Sequence, residues 1–402
     1  MNSFFTSLKV TLVLVLLSAC APANPLEKIM ASEDPGIQNI VKALDKHRVQ
    51  IAYTQIDTSS IGTPQFKTWT YGLDEGRYFY PASTAKLPIV LLTLEKIKSL
   101  QRQGVDITTT TPFHIIDPKT GVYIAQKDST HPDGVLTIAH LIKKIFLVSD
   151  NDAYNYLFDF LGTDAINDAL ANKGLKNTQI HHKFLFGADN QSTWEYAFLK
   201  DKDTVYHQIA LQSSFDRTNQ GLKDVQTGIG YMDKGQRIDQ PMDFSKKNRI
   251  SILDLQGIVQ RVIFPKLFAP EERFDLDSAD YAFVRYWMSR HTLESEAPKY
   301  TEVDGYYDSY VKFLIYGDTP GKMDGQIRIY NKVGDAYGTL TDTAYIVSEQ
   351  EGIAFLLTAT VFVNDNQIFN DDNYEYDTLG FPFLGALGRA VLAYEREKAT
   401  SF

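Results

Sequence analysis

The sequence predicts an α/β (α+β) fold in which a five-stranded antiparallel sheet is flanked by terminal helices. A mostly helical subdomain is inserted between strands 2 and 3. Three observations predict it. Two β-rich runs stand early in the chain and three stand late, separated by turn residues. Between them the apolar residues recur mostly at helical spacing. An amphipathic helix pattern lies at each end of the folded part. The chain has 402 residues, 44% of them apolar, which suits one large or two interleaved domains with a sizeable core.

Taken in order, Ile37, Ile40, Val41 and Leu44 have the spacing of an amphipathic helix. Val49 to Ile56 alternates and is β-rich, giving the first strand, and Phe66 to Tyr71 gives the second across a Ser/Gly/Pro turn. Leu87 to Leu100 is dense enough in apolar residues for a buried helix. Pro88 is tolerated there because it falls in the first turn, where backbone N–H groups lack helical partners. Helices follow at Leu136 to Leu147, with Thr137 as cap, at Ala153 to Leu161, Asp164 to Ala171, Ile250 to Phe264 and Asp277 to Ser289. Between about Phe184 and Asn248 the pattern weakens into long loops or short irregular elements, and a loop of that length inside a compact domain is often functional. The period then changes. Gln326 to Tyr330, Thr339 to Val347 and Gly352 to Val363 read as an antiparallel meander, and a last helix from about Leu379 to Glu397 carries Leu384, Leu387, Val391 and Leu392. The expected organisation is a sheet subdomain from 36–80 plus 301–398 and a helical subdomain at 81–300, with an irregular insertion at about 185–247.

The N-terminus reads as an address rather than as fold. Lys9 is the only side-chain charge in the first twenty residues, and Val10 to Leu17 is an apolar run too short to span a membrane. It ends Leu17-Ser18-Ala19-Cys20, which resembles the bacterial lipobox, where the signal is cut before a cysteine that is then lipidated. That resemblance implies a signal peptide at 1–19, lipidation at Cys20, a tether at 20–35 and a membrane partner through the N-terminal lipid anchor. It implies a lipoprotein of the cell envelope facing the periplasm. Ala21 after the cysteine leans toward the outer membrane if the organism has one. Cys20 is the only cysteine, so on this reading the mature chain has neither a free thiol nor a disulfide, which excludes cysteine-based catalysis and Cys-ligated metal sites. The net charge of −10, with no Lys/Arg-dense segment, offers no footprint for nucleic acid.

Chemistry concentrates in three short stretches. Tyr80-Pro81-Ala82-Ser83-Thr84-Ala85-Lys86 places Ser83 and Lys86 one helical turn apart, on one face of a helix that begins at Ser83. A serine hydroxyl needs a neighbouring base, and a lysine serves when burial or a second cation lowers its pKa. Alone this spacing is a weak signal. Val148-Ser149-Asp150-Asn151, between two helical segments, supplies a hydroxyl able to relay a proton and a carboxamide able to hold a substrate amide. Lys332-Val333-Gly334 lies on the first late strand, where alternation puts Lys332 and Gly334 on one face. Lys332 offers a cation for a carboxylate, Gly334 lets a ligand lie against the strand, and the backbone N–H groups of Ser83 and Asp335 suit an oxyanion hole.

The order Ser-x-x-Lys, Ser-Asp-Asn, Lys-x-Gly resembles the serine β-lactamase and penicillin-binding protein superfamily, and most of all class A β-lactamases. The flanking stretches Leu136 to Leu141 and Lys332 to Thr339 read like class A sequence, and the likeness covers roughly residues 36 to 396 apart from the insertion. It implies a β-lactamase-like fold and a serine hydrolase working through an acyl-enzyme, with no metal and no other cofactor. Its substrates would be β-lactams or related amides and esters, small-molecule or peptidoglycan-type. Ser83 would be acylated, Lys86 would activate it, Ser149 would shuttle protons, and Asn151 and Lys332 would bind substrate. Asp150 would be structural.

Two departures matter. Val333 replaces the family's hydroxyl residue, and the glutamate that class A enzymes use for deacylation has no counterpart. Its matching place is about Phe184, and Trp194-Glu195 comes about ten residues late, so that Glu195 reads as a surface acid. A penicillin-binding D,D-peptidase or an esterase with slow deacylation is therefore an alternative. A non-enzymatic cell-envelope binding lipoprotein is another. Elsewhere, His181-His182 read as surface or loop histidines. The acidic runs Asn364-Asp365-Asn366 and Asp371-Asp372-Asn373 read as a turn. Tyr306, Tyr307 and Tyr310 line a groove or pack together.

Overall fold

The computed structural model describes residues 23–57 and 63–400. The segment expected to be a signal peptide, 1–19, and Cys20 lie outside the described residues. The strands β1 (Gln50–Asp57), β2 (Gln65–Tyr71), β3 (Arg328–Ala336), β4 (Thr339–Ser348) and β5 (Ile353–Phe362) form one sheet in the order β3-β4-β5-β1-β2. Every neighbouring pair is antiparallel, and β5 pairs with β1 from Gln50 opposite Thr360 to Gln55 opposite Phe355. The two ends of the chain therefore share one sheet, and strands 2 and 3 in sequence order are its two edges.

The helices are α1 (Pro25–Met30), α2 (Pro35–Val41), α3 (Lys86–Arg102), α4 (Ile138–Val148), α5 (Asn151–Leu161), α6 (Thr163–Asn172), α7 (Ile252–Ile263), α8 (Ser278–Ser289) and α9 (Phe381–Ala399), with several shorter turns between them. Period-2 alternation sends Ile51, Tyr53, Ile329, Val333, Ala344, Phe355 and Leu357 to one face of the sheet, where they bury against α1, α2 and α9. A second core gathers α3 to α8 on the other side of the sheet, with Leu356 reaching into it. The fold follows the alternation and periodicity read from the sequence.

Three local expectations are revised. Residues 25–30, within the expected tether, form α1. Asn24 caps it by accepting from the Leu26 N–H, and Leu26, Ile29 and Met30 are buried against the sheet subdomain. Three apolar residues within one turn outweigh the polar composition around them. The helix expected across Ile37 to Leu44 stops at Val41, and a four-residue turn, Leu44–His47, takes over. The weakly patterned segment after Phe184 is mostly loop, as expected, but it also contributes short strands to a sheet inside the part expected to be helical. Glu195–Lys200 and Asp203–Gln208 form a hairpin that pairs with Phe113–Ile116, which in turn pairs with Tyr123–Ala125.

Candidate active site

The Ser83 stretch folds as a single 3-10 turn, Ala82–Ala85, that runs into α3 at Lys86. The Thr84 hydroxyl donates to the Pro81 carbonyl at 2.6 Å and closes the turn. Ala82 sits at φ +46°, a left-handed conformation that costs an L-residue roughly 1–2 kcal/mol. The surrounding contacts hold that strain at the residue before Ser83.

Ser149 owes its place to two helix ends. Helix α4 begins with Thr137, whose hydroxyl accepts from the His140 N–H, and ends at Ser149 in a left-handed cap with φ +58°. Asp150 then caps α5, its carboxylate accepting from the Ala153 N–H at 2.7 Å. Asp150 is thereby committed to the backbone, as the resemblance implied, and also pairs with Lys144 at 3.4 Å.

These elements converge on two buried lysines. The Lys86 amine donates to the Ser149 carbonyl and, at 2.7 Å, to Asn151 Oδ1; Ser149 Oγ lies 3.4 Å away. The Lys332 ammonium donates to Ser149 Oγ at 2.8 Å and to the Val333 carbonyl at 2.9 Å. Because both nitrogens reach one hydroxyl, they stand no more than about 6 Å apart. At an effective dielectric constant of about 20, two charges at that distance repel by roughly 3 kcal/mol, equivalent to about two pKa units. Both cannot easily stay charged. Burial, and then the Lys332 charge, pull Lys86 well below the ordinary lysine value, against the opposing carboxylates of Asp150 and Asp335. Lys332 is lowered to about 7 by burial, with Asp335 and Asp342 supporting its charge. Lys86 is thus the better candidate for the neutral amine. Its two N–H groups are spent on Ser149 and Asn151, and its lone pair is left to accept a proton.

The strand β3 lies against the Ser83 turn. A Cβ on Gly334 would meet Ser83 N at 2.6 Å, Pro81 O at 2.7 Å and Thr84 N at 2.8 Å. The clearance at Gly334 therefore serves the Ser83 turn itself rather than a ligand, which revises the expectation for this glycine. Val333 points into the core on the other face, so the hydroxyl it lacks is not missed where it stands. Asp335 borders the groove with Ser83, and desolvation raises its carboxyl pKa.

Ser83, Asn151 and Asp335 stand where two cavities meet. A larger one of about 710 Å³ runs past Tyr80, His182, Phe184, Lys247, Tyr337 and Tyr374, and a smaller one of about 310 Å³ runs past Ser149, Tyr307 and Tyr310. Tyr306 and Tyr307 both pack edge to face on Tyr310, so Tyr307 and Tyr310 line the groove and pack together, while Tyr306 only packs.

Phe184 lies beside Lys86. Its ring stacks on Tyr154 at 4.4 Å and stands 5.2 Å from the Lys86 nitrogen, while its N–H is held by Asn155 Oδ1 at 2.6 Å. Glu195 is in the hairpin strand, 3.1 Å from His207, and borders neither cavity. The two histidines divide. His181 packs on Phe215, whereas His182 is stacked with Tyr80 in the groove wall and its pKa is pushed down to about 3 by burial. Sequence reasoning missed Lys246, Lys247, Tyr374 and Tyr376, which reach the groove from loops far apart in the chain. The only available signal was that the acidic turn and the irregular segment were both long for connections.

The family described as the beta-lactamase enzyme family matches residues 35–258, more than half of the chain and a span that includes Ser83, Lys86, Ser149, Asn151 and Phe184. The chain belongs to the beta-lactamase enzyme family. Among solved structures, this beta-lactamase family member is similar to PBP-A at 14% identity and a TM-score of 0.50, covering 93% of this chain and 97% of that one. It is also similar to a beta-lactamase from Sphaerobacter thermophilus at 14% identity and a TM-score of 0.48, covering 90% and 96%. For a class A beta-lactamase from Mycobacterium abscessus the identity is 14%, the TM-score 0.46 and the coverage 87% and 95%. No curated protein matches the chain.

Proposed function

We propose that this family member is a serine hydrolase that is acylated at Ser83 by β-lactams or related amides and esters, and that releases the acyl group slowly. The observation that carries the reading is the Lys86–Ser149–Lys332 chain of hydrogen bonds set against the Ser83 turn. The Ser83 hydroxyl attacks the scissile carbonyl and its proton passes to the Lys86 lone pair. The backbone N–H groups of Ser83 and Asp335 hold the oxyanion. Lys86 returns the proton through Ser149: the Ser149 hydroxyl gives its own proton to the leaving nitrogen as it takes one from Lys86. Asn151 contacts the substrate amide, and the third N–H of Lys332 binds its carboxylate. No metal and no cofactor enter the steps.

Slow release is favoured by Phe184. An aromatic ring beside Lys86 cannot activate a water, and Glu195 is turned toward His207. The behaviour expected is that of a penicillin-binding peptidase or esterase on a class A scaffold. A lipid anchor at Cys20 would hold the enzyme in the cell envelope, facing periplasmic substrate.

A chromogenic cephalosporin tests the reading. The colour change should come as a burst equal to the enzyme concentration, followed by little turnover, and should vanish in Ser83→Ala. The second-order rate of the burst should be bell-shaped in pH. It falls on the acid side as Lys86 gains its proton. It falls on the alkaline side, with a midpoint near 7, as Lys332 loses the charge that binds the substrate carboxylate. Because the lysines are coupled, both limbs belong to the pair. A burst that survives Ser83→Ala, or a rate that rises steadily through pH 9, contradicts the assignment.

A further inference from the structure

The larger cavity carries a cation that the acylation chemistry does not use. Lys247 comes from the irregular segment and is half-buried in the wall of the 710 Å³ arm. Among the described residues, no carboxylate lies within ion-pair distance of its nitrogen and its ammonium reaches no hydrogen-bond acceptor; its one charge contact is the Tyr337 ring at 5.9 Å. The carboxylates of the arm are Asp335, at the Ser83 end, and Asp372, and neither pairs with Lys247. Apart from Asp335 and Asp372, the charged side chains that line the arm are lysines. Lys246 borders the same arm, and His182 is held uncharged by burial and by the Lys247 charge. Lys183, the remaining cation there, is already paired with Asp159 at 2.6 Å. Desolvation lowers the Lys247 pKa with no neighbouring carboxylate to offset it. Such a cation is uncomfortable until an anion arrives.

The position of the arm fixes what the anion would be attached to. Ser83 stands at the junction of the two cavities, and the smaller one contains Ser149, which delivers the proton to the leaving group. The larger arm must therefore take the acyl side of the substrate. Tyr80 ties the two places together. It stands three residues before Ser83, its ring stacks on His182 at 6.1 Å, and it packs on Tyr337 at 4.9 Å. We propose that Lys247, in the tyrosine-walled arm beside Ser83, is a specificity determinant that selects acyl donors carrying an anionic group on the acyl side, in addition to the leaving-side carboxylate bound at Lys332. The preferred substrates are then dianionic amides or esters.

This inference rests on the acyl-transfer reading for the direction of the groove, but its test needs no chemistry. Benzylpenicillin and carbenicillin differ by one carboxylate on the acyl side chain. Calorimetric binding to the full chain carrying Ser83→Ala should show carbenicillin about tenfold tighter at low salt. Adding Lys247→Met should bring the ratio to about one, and Lys247→Arg should restore it, which a merely structural role for Lys247 does not explain. A ratio near one with Lys247 present, a ratio unchanged by Lys247→Met, or no measurable carbenicillin binding overturns the proposal. Failure of the acylation reading shows separately, as a wild-type enzyme that forms no adduct with either penicillin while the affinity ratio persists.

Discussion

Lys86→Met should lower the second-order rate of Ser83 acylation by about 10³-fold, the usual cost of removing a positioned base. Methionine occupies a similar volume and brings no charge to desolvate. The fold should be retained, and the melting temperature should stay near wild type, because methionine no longer desolvates a buried amine but leaves the Ser149 carbonyl and Asn151 Oδ1 without the hydrogen bonds Lys86 gave them. Stopped-flow acylation by a chromogenic cephalosporin, with a thermal melt on the same sample, separates lost chemistry from lost structure. Wild-type acylation by the methionine variant would show that Lys86 is not the base. An intact rate with a collapsed melt would show that its role is structural.

The second large effect is a gain. Phe184→Glu puts a carboxylate beside Lys86, at the position where the proposed acyl-enzyme would lack a base. The Asn155 bond to the residue 184 N–H is independent of the side chain, so the backbone should stay in register. The lifetime of the penicilloyl adduct should shorten by about 10²-fold, and steady turnover should replace the burst. Phe184→Gln, of nearly the same size as Glu but unable to take a proton, should leave the lifetime close to wild type. Equal lifetimes for Phe184→Glu and wild type would remove Phe184 as the cause of slow release. Equal shortening by Gln and Glu would assign the effect to space for water rather than to a base.

How much of this was legible depended on how local the signal was. Ser83 and Lys86 are one turn apart, and Val333 alternates with Lys332 and Gly334; each is a statement about neighbours in sequence, and each is readable, whereas Asp150 as the cap of α5 is a finding of the structure. β-rich composition between turn residues, with alternation in the first strand, likewise placed all five strands of the sheet, because both signals lie within a few neighbouring residues. The unread parts come from pairing at a distance. Phe113–Ile116 is too short to signal itself and is a strand because Glu195–Lys200 and Tyr123–Ala125 pair with its two edges. Helix α1 is held by contacts with distant segments, including the Asn24 side-chain bond to the Thr70 carbonyl. Gly334 was read as room for a ligand because nothing in sequence says that the turn 251 residues upstream would occupy that room. The Lys247 arm is the extreme case, assembled from segments near residues 80, 182, 247, 337 and 374.

Intact-mass spectrometry of the protein with benzylpenicillin tests the acylation of Ser83 most directly. The wild-type chain should gain the mass of one intact penicillin, map it to the Ser83 peptide and keep it long after free drug is removed, while Ser83→Ala gains nothing. An unchanged wild-type mass, or the same adduct on Ser83→Ala, contradicts it.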